Sequence, residues 1–478
     1  METKLTKKLV TSWFAKNADI SVRSIEIGQK QVHIFYIDCL VDKMFLSQNV
    51  VAKILNLTTA NNISLENCLS ANELLKINTK QAIINNILNG FAVVFVESSN
   101  LAFSVGVTGY STRAISEPPT SQVTKGPREG FVEDLSINLS LLRRKIKSPD
   151  FSVENLVVGT QTQTKIAVVY LSNIADSGLV KKLTQQLKQI NIDGIIDSYY
   201  IESLLEEGKL KFVRRIGNSE KPDVVASRLL EGRVAIVVDG SPIVLTAPFM
   251  LIEDLQSPED YYTIPAKATF IRIIRLIGFI LGFLLPGIYV ALQSYHYKVL
   301  PINFLVTLLS SIQGISFPPL IEILFVLFLF DILAEASARM PKLLGMALSI
   351  IGALVLGETT VHAGIISPPS IVVVAISSIM LFIVPEQVPQ VSLLRIAFTI
   401  IGGISGFYGM LMSFIVVTTY LISINGYGVP FLAPYAPNIK QDKQDAIIKR
   451  AVNHMHNRPK SLTRRNTTRY VPVEDKYE

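Results

Sequence analysis

The feature that most limits what this chain can fold into is the distribution of its charges. Residues 268–438, a stretch of 171, hold 11 Asp, Glu, Lys or Arg side chains, whereas residues 1–267 hold 29 basic and 28 acidic ones. So sparse a charge content cannot clothe a soluble domain in a hydrated surface, and it predicts an α-helical polytopic membrane domain over 268–438. The closing segment, 439–478, has 10 basic and 5 acidic groups and supplies most of the net charge of +7. It reads as a basic cytoplasmic tail, disordered at its end, and gives little support to nucleic-acid binding.

The front half reads differently. Met1–Lys8 is basic but is followed by Thr11, Ser12, Lys16 and Asn17, not by the apolar core of a signal peptide, so this half is expected in the cytoplasm. Strand-length apolar runs at Val32–Cys39, Phe91–Glu97, Ala102–Val107, Ile166–Tyr170 and Val234–Asp239 alternate with helical spacing at Met44–Leu55, Ile83–Leu88, Ser177–Ile190 and Ser198–Gly208. The pattern predicts an α/β or α+β cytoplasmic region of two subdomains, 1–116 and 150–267. Between them, 117–149 reads as a hinge broken by Pro118, Pro119, Gly126 and Pro127, then a basic amphipathic helix. That helix could meet a partner or a membrane surface, or simply present one solvated face.

No catalytic set emerges. The chain has no GxxxxGK[ST], strand-led GxGxxG, HExxH or GxSxG, so no enzyme and no cofactor is expected. Cys39 and Cys68 lack metal-ligand spacing, so no metal site is expected and both read as buried thiols. His33 on a strand reads as a satisfied histidine, and Asp197, Glu202, Glu206 and Glu207 as a solvated helix face.

In the membrane half, apolar segments run over Phe270–Ala291, Pro301–Phe317, Pro319–Ala334, Leu343–Ile366, Ser370–Val384 and Leu393–Ile424. A single span takes about 20 residues. Four full spans plus two re-entrant segments place most charges well but leave Arg395 on the wrong side; six spans is the alternative. The over-long last segment has Gly402, Gly403, Gly406 and Gly409 as places to kink. Two strings fifty residues apart, Gly314-Ile-Ser-Phe-Pro-Pro319 and Gly364-Ile-Ile-Ser-Pro-Pro369, share one turn chemistry, and either break could border a cavity or pore.

Charges in this setting cost about 2.5–3.5 kcal/mol each at a helix centre on insertion scales, so they carry information. Asp331, Glu335 and Arg339 share one helix face while Glu322 lies nearly opposite. They form either a Glu335–Arg339 pair at a helix end or an acidic face along a cation route. Gly345, Ser349, Ala353 and Gly357 recur every four residues as a smooth stripe for close helix packing. Beyond it Glu358, Thr359, Thr360 and His362 interleave with Val361 and Ile365, which suits either a narrow gated pore or an interfacial loop.

Several strings in order resemble the A subunits of GerA-type spore germinant receptors. They are Gly126-Pro-Arg-Glu-Gly-Phe-Val-Glu-Asp-Leu135 with Asn138 and Leu141-Leu-Arg-Arg144, Asp239-Gly-Ser-Pro-Ile-Val-Leu245, Gln256-Ser-Pro-Glu-Asp-Tyr-Tyr262, Pro286-Gly-Ile-Tyr-Val-Ala-Leu292 with Tyr295-His296, and Phe317-Pro-Pro-Leu-Ile-Glu322. The resemblance implies a subunit of the spore inner membrane that acts with a transporter-like, nutrient-binding B subunit and a lipoprotein C subunit. It further implies a pentameric, nutrient-gated channel whose opening releases monovalent cations. The family's pore constriction carries over to Val361, in the matching string Gly357-x-x-x-Val361-x-Ala363-Gly364. Glu358-Thr359-Thr360 departs from the less charged stretch expected there. The alternatives are a non-conducting scaffold or signalling subunit and a family paralogue that amplifies ion release.

Overall fold

A computed structural model describes the chain apart from residues 1–3, 16, 28–29, 57–68, 70–73, 110–124, 207–212, 316, 342–349, 351, 353–354, 464 and 471–478. The first half forms two sheets. One contains β1 (Ile20–Ile27), β2 (Lys30–Ile37), β3 (Leu74–Ile77), β4 (Ala92–Val96) and β5 (Ala102–Val105), with α1 (Lys80–Leu88) between β3 and β4. After α2 (Leu135–Lys145) come β6 (Phe151–Val158), β7 (Thr164–Leu171), α3 (Ser177–Gln189), α4 (Ser198–Leu205), β8 (Gly217–Ser219), α5 (Pro222–Leu230), β9 (Val234–Val238) and β10 (Val244–Ala247).

The strand orders are β1-β2-β4-β5-β3 and β6-β7-β9-β10-β8. These are one topology used twice, each sheet antiparallel throughout and each with a helix ahead of its fourth strand. Antiparallel pairing selects α+β over a parallel α/β arrangement. Both sheets are buried on both faces, so the middle strands read as near-continuous apolar runs: Val234–Val238 is buried at every position. Helix starts follow local chemistry. Asp134, Asp176 and Asp197 accept hydrogen bonds from first-turn N–H groups of α2, α3 and α4, and Pro222 opens α5.

Two features of this half differ from the sequence expectation. The basic helix α2 is largely buried, with the Arg143 guanidinium bound to Asp19 at 2.8 and 2.9 Å and Lys145 paired with Glu129 at 2.9 Å. Arg143 and Lys145 thus face protein while Arg144 and Lys147 stay exposed; the hinge ahead of the helix, up to residue 124, lies mostly outside the described residues. The carboxylates of Asp197, Glu202 and Glu206 are not one solvated face either, and Glu207 lies outside the described residues. Asp197 caps α4, Glu206 accepts from the Arg215 N–H, and Glu202 is buried, its carboxyl pushed up to about 7 by burial against the pull of Arg214. His33 is buried, its Nδ1 hydrogen-bonded to Ser24 at 2.9 Å and its Nε2 lying 2.7 Å from the Glu97 carboxylate. Cys39 is half-buried with its thiol raised to about 12, chiefly by burial, while Cys68 lies outside the described residues.

The second half is helical: α6 (Pro265–Ser294), α7 (Ile302–Ile312), α8 (Pro319–Arg339), α9 (Pro368–Leu381) and α10 (Val388–Ser423). Among the described residues two helices, Pro265–Ser294 and Pro385–Ser423, are long and apolar enough to cross a membrane. The second is not a straight rod. Gly406 adopts φ 60° and ψ −155°, a conformation essentially confined to glycine, and reverses the chain. Residues 388–405 and 407–423 then lie side by side, Val391 and Phe398 sharing one cluster with Met410, Phe414 and Val417. Each arm is about 26 Å long at 1.5 Å per residue.

The glycines of Leu393–Ile424 thus make a turn rather than a kink. Tyr295 fixes it, its hydroxyl donating to the Gly403 and Ile404 carbonyls at 3.0 and 2.8 Å, and the His296 ring packs on Phe407.

Candidate functional site

Three places in the membrane-type half bring polar groups together, each built by a helix end or crossing. The first joins the two repeated loops. Gly314 (φ 90°) and Gly364 (φ 66°) both turn the chain through left-handed backbone, and a Cβ on Gly364 would lie 3.7 Å from the Gly314 carbonyl oxygen. Pro319 and Pro368 then open α8 and α9. Glu322, buried in the first turn of α8, accepts from the Ser367 N–H at 2.7 Å and the Ser367 hydroxyl at 2.6 Å. A carboxylate placed there meets the N–H and hydroxyl of Ser367, the residue that precedes α9, so Glu322 ties the starts of the two helices together.

The second place is a cavity of about 800 Å³ whose lining includes Phe330, Asp331, Ser337, Gly352, Gly357, Ser378 and Arg395. Arg395 is fully buried; it binds Asp331 at 2.7 Å and the Ser378 hydroxyl at 3.0 Å, while its Nε has no partner among the described residues. This pairing resolves the misplaced charge of the sequence analysis, because Arg395 is neutralised inside the helix layer and needs no headgroup. It also divides the expected acidic face. Asp331 turns to Arg395, whereas Glu335 pairs with Arg339 at 2.6 Å as an exposed i, i+4 bridge.

The third place is the segment singled out for a pore. Val355–Thr359 forms a π-turn and Thr360–His362 one α-helical turn. Glu358, Thr359 and Ile365 are exposed and Val361 is half-buried. Of the small-residue stripe, Gly345, Ser349 and Ala353 lie outside the described residues; Gly357 is exposed, and a Cβ there would meet nothing within 4 Å. Close packing inside the chain is made by other glycines. A Cβ on Gly278 or Gly282 would meet Ile383 or Leu381 at 2.7 and 2.9 Å, and one on Gly402 would lie 2.5 Å from the Gly287 carbonyl oxygen. The Gly278-x-x-x-Gly282 spacing was the available signal for this crossing.

The tail closes the circuit. Arg272, buried near the start of α6, donates to Asp260 at 2.9 Å, to the Asp445 carboxylate at 3.0 Å and to the Ala446 carbonyl at 2.6 Å. Burial alone would raise the Asp260 carboxyl, but hydrogen bonds from Arg275 and Arg272 hold it below its ordinary range. Lys449 is buried with its ammonium on the Asp260 carbonyl, Leu462 packs with Met250, and Thr463 donates to the Ile174 carbonyl at 2.8 Å. The tail up to residue 470 is therefore docked on the soluble half; its last eight residues, 471–478, lie outside the described ones.

Two soluble sheet domains clamped to an apolar helical half with internal ion pairs define a membrane-associated protein with a large extramembrane region. More narrowly, the chain belongs to the Bacillus/Clostridium GerA spore germination protein family, whose model matches residues 8–461. It is 35% identical over 474 residues to spore germination protein KA of Bacillus subtilis, covering 97% of this chain and 86% of that protein. It is 27% identical to spore germination protein XA of Bacillus anthracis, with 97% of each chain covered. Among solved structures it is similar to the N-terminal domain of the A subunit of the Bacillus megaterium germinant receptor GerK3, at 27% identity and a TM-score of 0.39, covering 52% of this chain and 96% of that one.

Proposed function

We propose that this chain is the A subunit of a nutrient-responsive spore germinant receptor, and that copies of it surround an axis to form a cation channel in the spore inner membrane. One observation carries the reading: Glu358, Thr359 and Ile365 are exposed, beside half-buried Val361, in the charge-poor half of the chain. Polar groups at membrane depth persist only where protein or water meets them, and a ring of copies supplies both. Val361 is the hydrophobic constriction, Glu358 and Thr359 hold water and cations beside it, and the stripe Gly345, Ser349, Ala353 and Gly357 packs neighbouring copies.

We adopt six passes over four because the reversal at Gly406 makes residues 388–423 two apolar arms instead of one. In this reading α6, α8, α9 and the two arms of α10 each make one pass, and the apolar run of the sequence at Leu343–Ile366 supplies the sixth. An even number returns the chain to the side it left, in keeping with the tail's docking on the soluble half. In this reading the soluble half and tail face the spore core, and a B subunit and a lipoprotein C subunit complete the receptor.

Purified oligomer in vesicles should pass K+ or Na+. Val361→Ala should leak without nutrient, and a bulkier apolar residue there should conduct less. An oligomer that never conducts, whatever stands at position 361, overturns the proposal in favour of a scaffold subunit.

A further inference from the structure

We infer that the tail segment Ile448–Val452 and the first turns of α6 form one docking surface for an anionic lipid leaflet. The inference rests on the reading that α6 enters a membrane. Lys267, Phe270, Ile274 and Ile277 lie on one exposed face of α6, and Phe270 is 64% exposed. The tail is fixed at that level: the Lys449 N–H donates to the Thr269 hydroxyl at 3.0 Å, and the Thr269 hydroxyl lies 3.5 Å from the Lys449 carbonyl. Those bonds carry Ile448 (61% exposed) and Val452 (63%) to the entrance of the helix, with exposed Arg450 between them.

What covers this surface follows from its charges. Arg272, Arg275 and Lys449 lie nearby, but all three are taken up by Asp260, Asp445 or backbone carbonyls. Lys267 and Arg450 have no ion-pair partner among the described residues. Two free cations flanking bare aliphatic side chains, continuous with the apolar face of a membrane helix, match the headgroup and acyl boundary of an anionic leaflet. A tail held there keeps its clamp on the soluble half in register with the bilayer surface.

The full chain provides the test. In a Trp13→Phe background, which removes the single tryptophan, the variants Ile448→Trp, Val452→Trp and the mid-helix control Ile277→Trp are reconstituted in mixed phosphatidylcholine–phosphatidylglycerol vesicles with one lipid brominated. All three should be quenched. At 448 and 452 brominated phosphatidylglycerol should quench more than brominated phosphatidylcholine, and that preference should fall about fivefold for each of Lys267→Gln and Arg450→Gln.

Quenching at 277 with none at 448 or 452 overturns the inference and leaves the membrane reading standing. No quenching at any position overturns both. Efficient disulfide capture between protomers through Val452→Cys, with Cys39 and Cys68 replaced by Ser, assigns the surface to a second copy and also overturns the inference.

Discussion

Two ion pairs with one composition sit in opposite surroundings. Asp19–Arg143 locks the first soluble domain to the second, both side chains buried, with the guanidinium 4.3 Å from the centre of the Phe151 ring. Asp331–Arg395 has an equally buried arginine, but its carboxylate is 38% exposed and borders a cavity. In the sealed pair each charge depends wholly on the other. The open pair leaves a carboxylate that can be hydrated or can exchange partners.

The largest effect should come from breaking the sealed pair. Arg143→Ala strands Asp19 and should cost about 3–5 kcal/mol, seen as a lowered denaturation midpoint. Asp331→Asn should cost less, about 2 kcal/mol, because water from the cavity can replace the lost partner; thermal melts in detergent compare the two directly. Equal losses would show that the cavity does not hydrate the pair.

The smallest effect sharpens the comparison by taking a buried carboxyl whose burial outweighs the pull of its neighbouring cation, Arg214. The Glu202 pKa is raised to about 7 from an ordinary 4.5, so the folded state binds more protons between those values and stability falls as pH rises through that window. Glu202→Gln should remove this slope, which is at most about 1.4 kcal/mol per pH unit, and add on the order of 1 kcal/mol at pH 8.

How far the sequence disclosed these features depended on whether a feature is local. Strands β2, β4, β5, β7 and β9 are visible as apolar runs because they are buried on both faces. β1 and β6 escaped because polar side chains alternate into them, and β8 because three residues hold no periodicity. The repeated strand order was not legible at all, since pairing joins residues far apart in the chain. Asp331 and Arg395 stood out singly as misplaced charges, yet 64 positions of chain concealed that each answers the other. The π-turn at Val355–Thr359 and the exposure of Glu358 and Thr359 likewise depend on packing that composition does not encode.

The turn at Gly406 has a consequence for how the protein is made. A Cβ there would meet the His296 ring at 2.8 Å, in a backbone geometry that L side chains reject. In the six-pass reading proposed above, residues 388–423 without the reversal would form one overlong apolar rod and deliver the tail to the far side of the bilayer. With it, on that reading, the two arms enter the membrane together as a pair, and a single hydrogen in place of a methyl sets the side on which the tail lies.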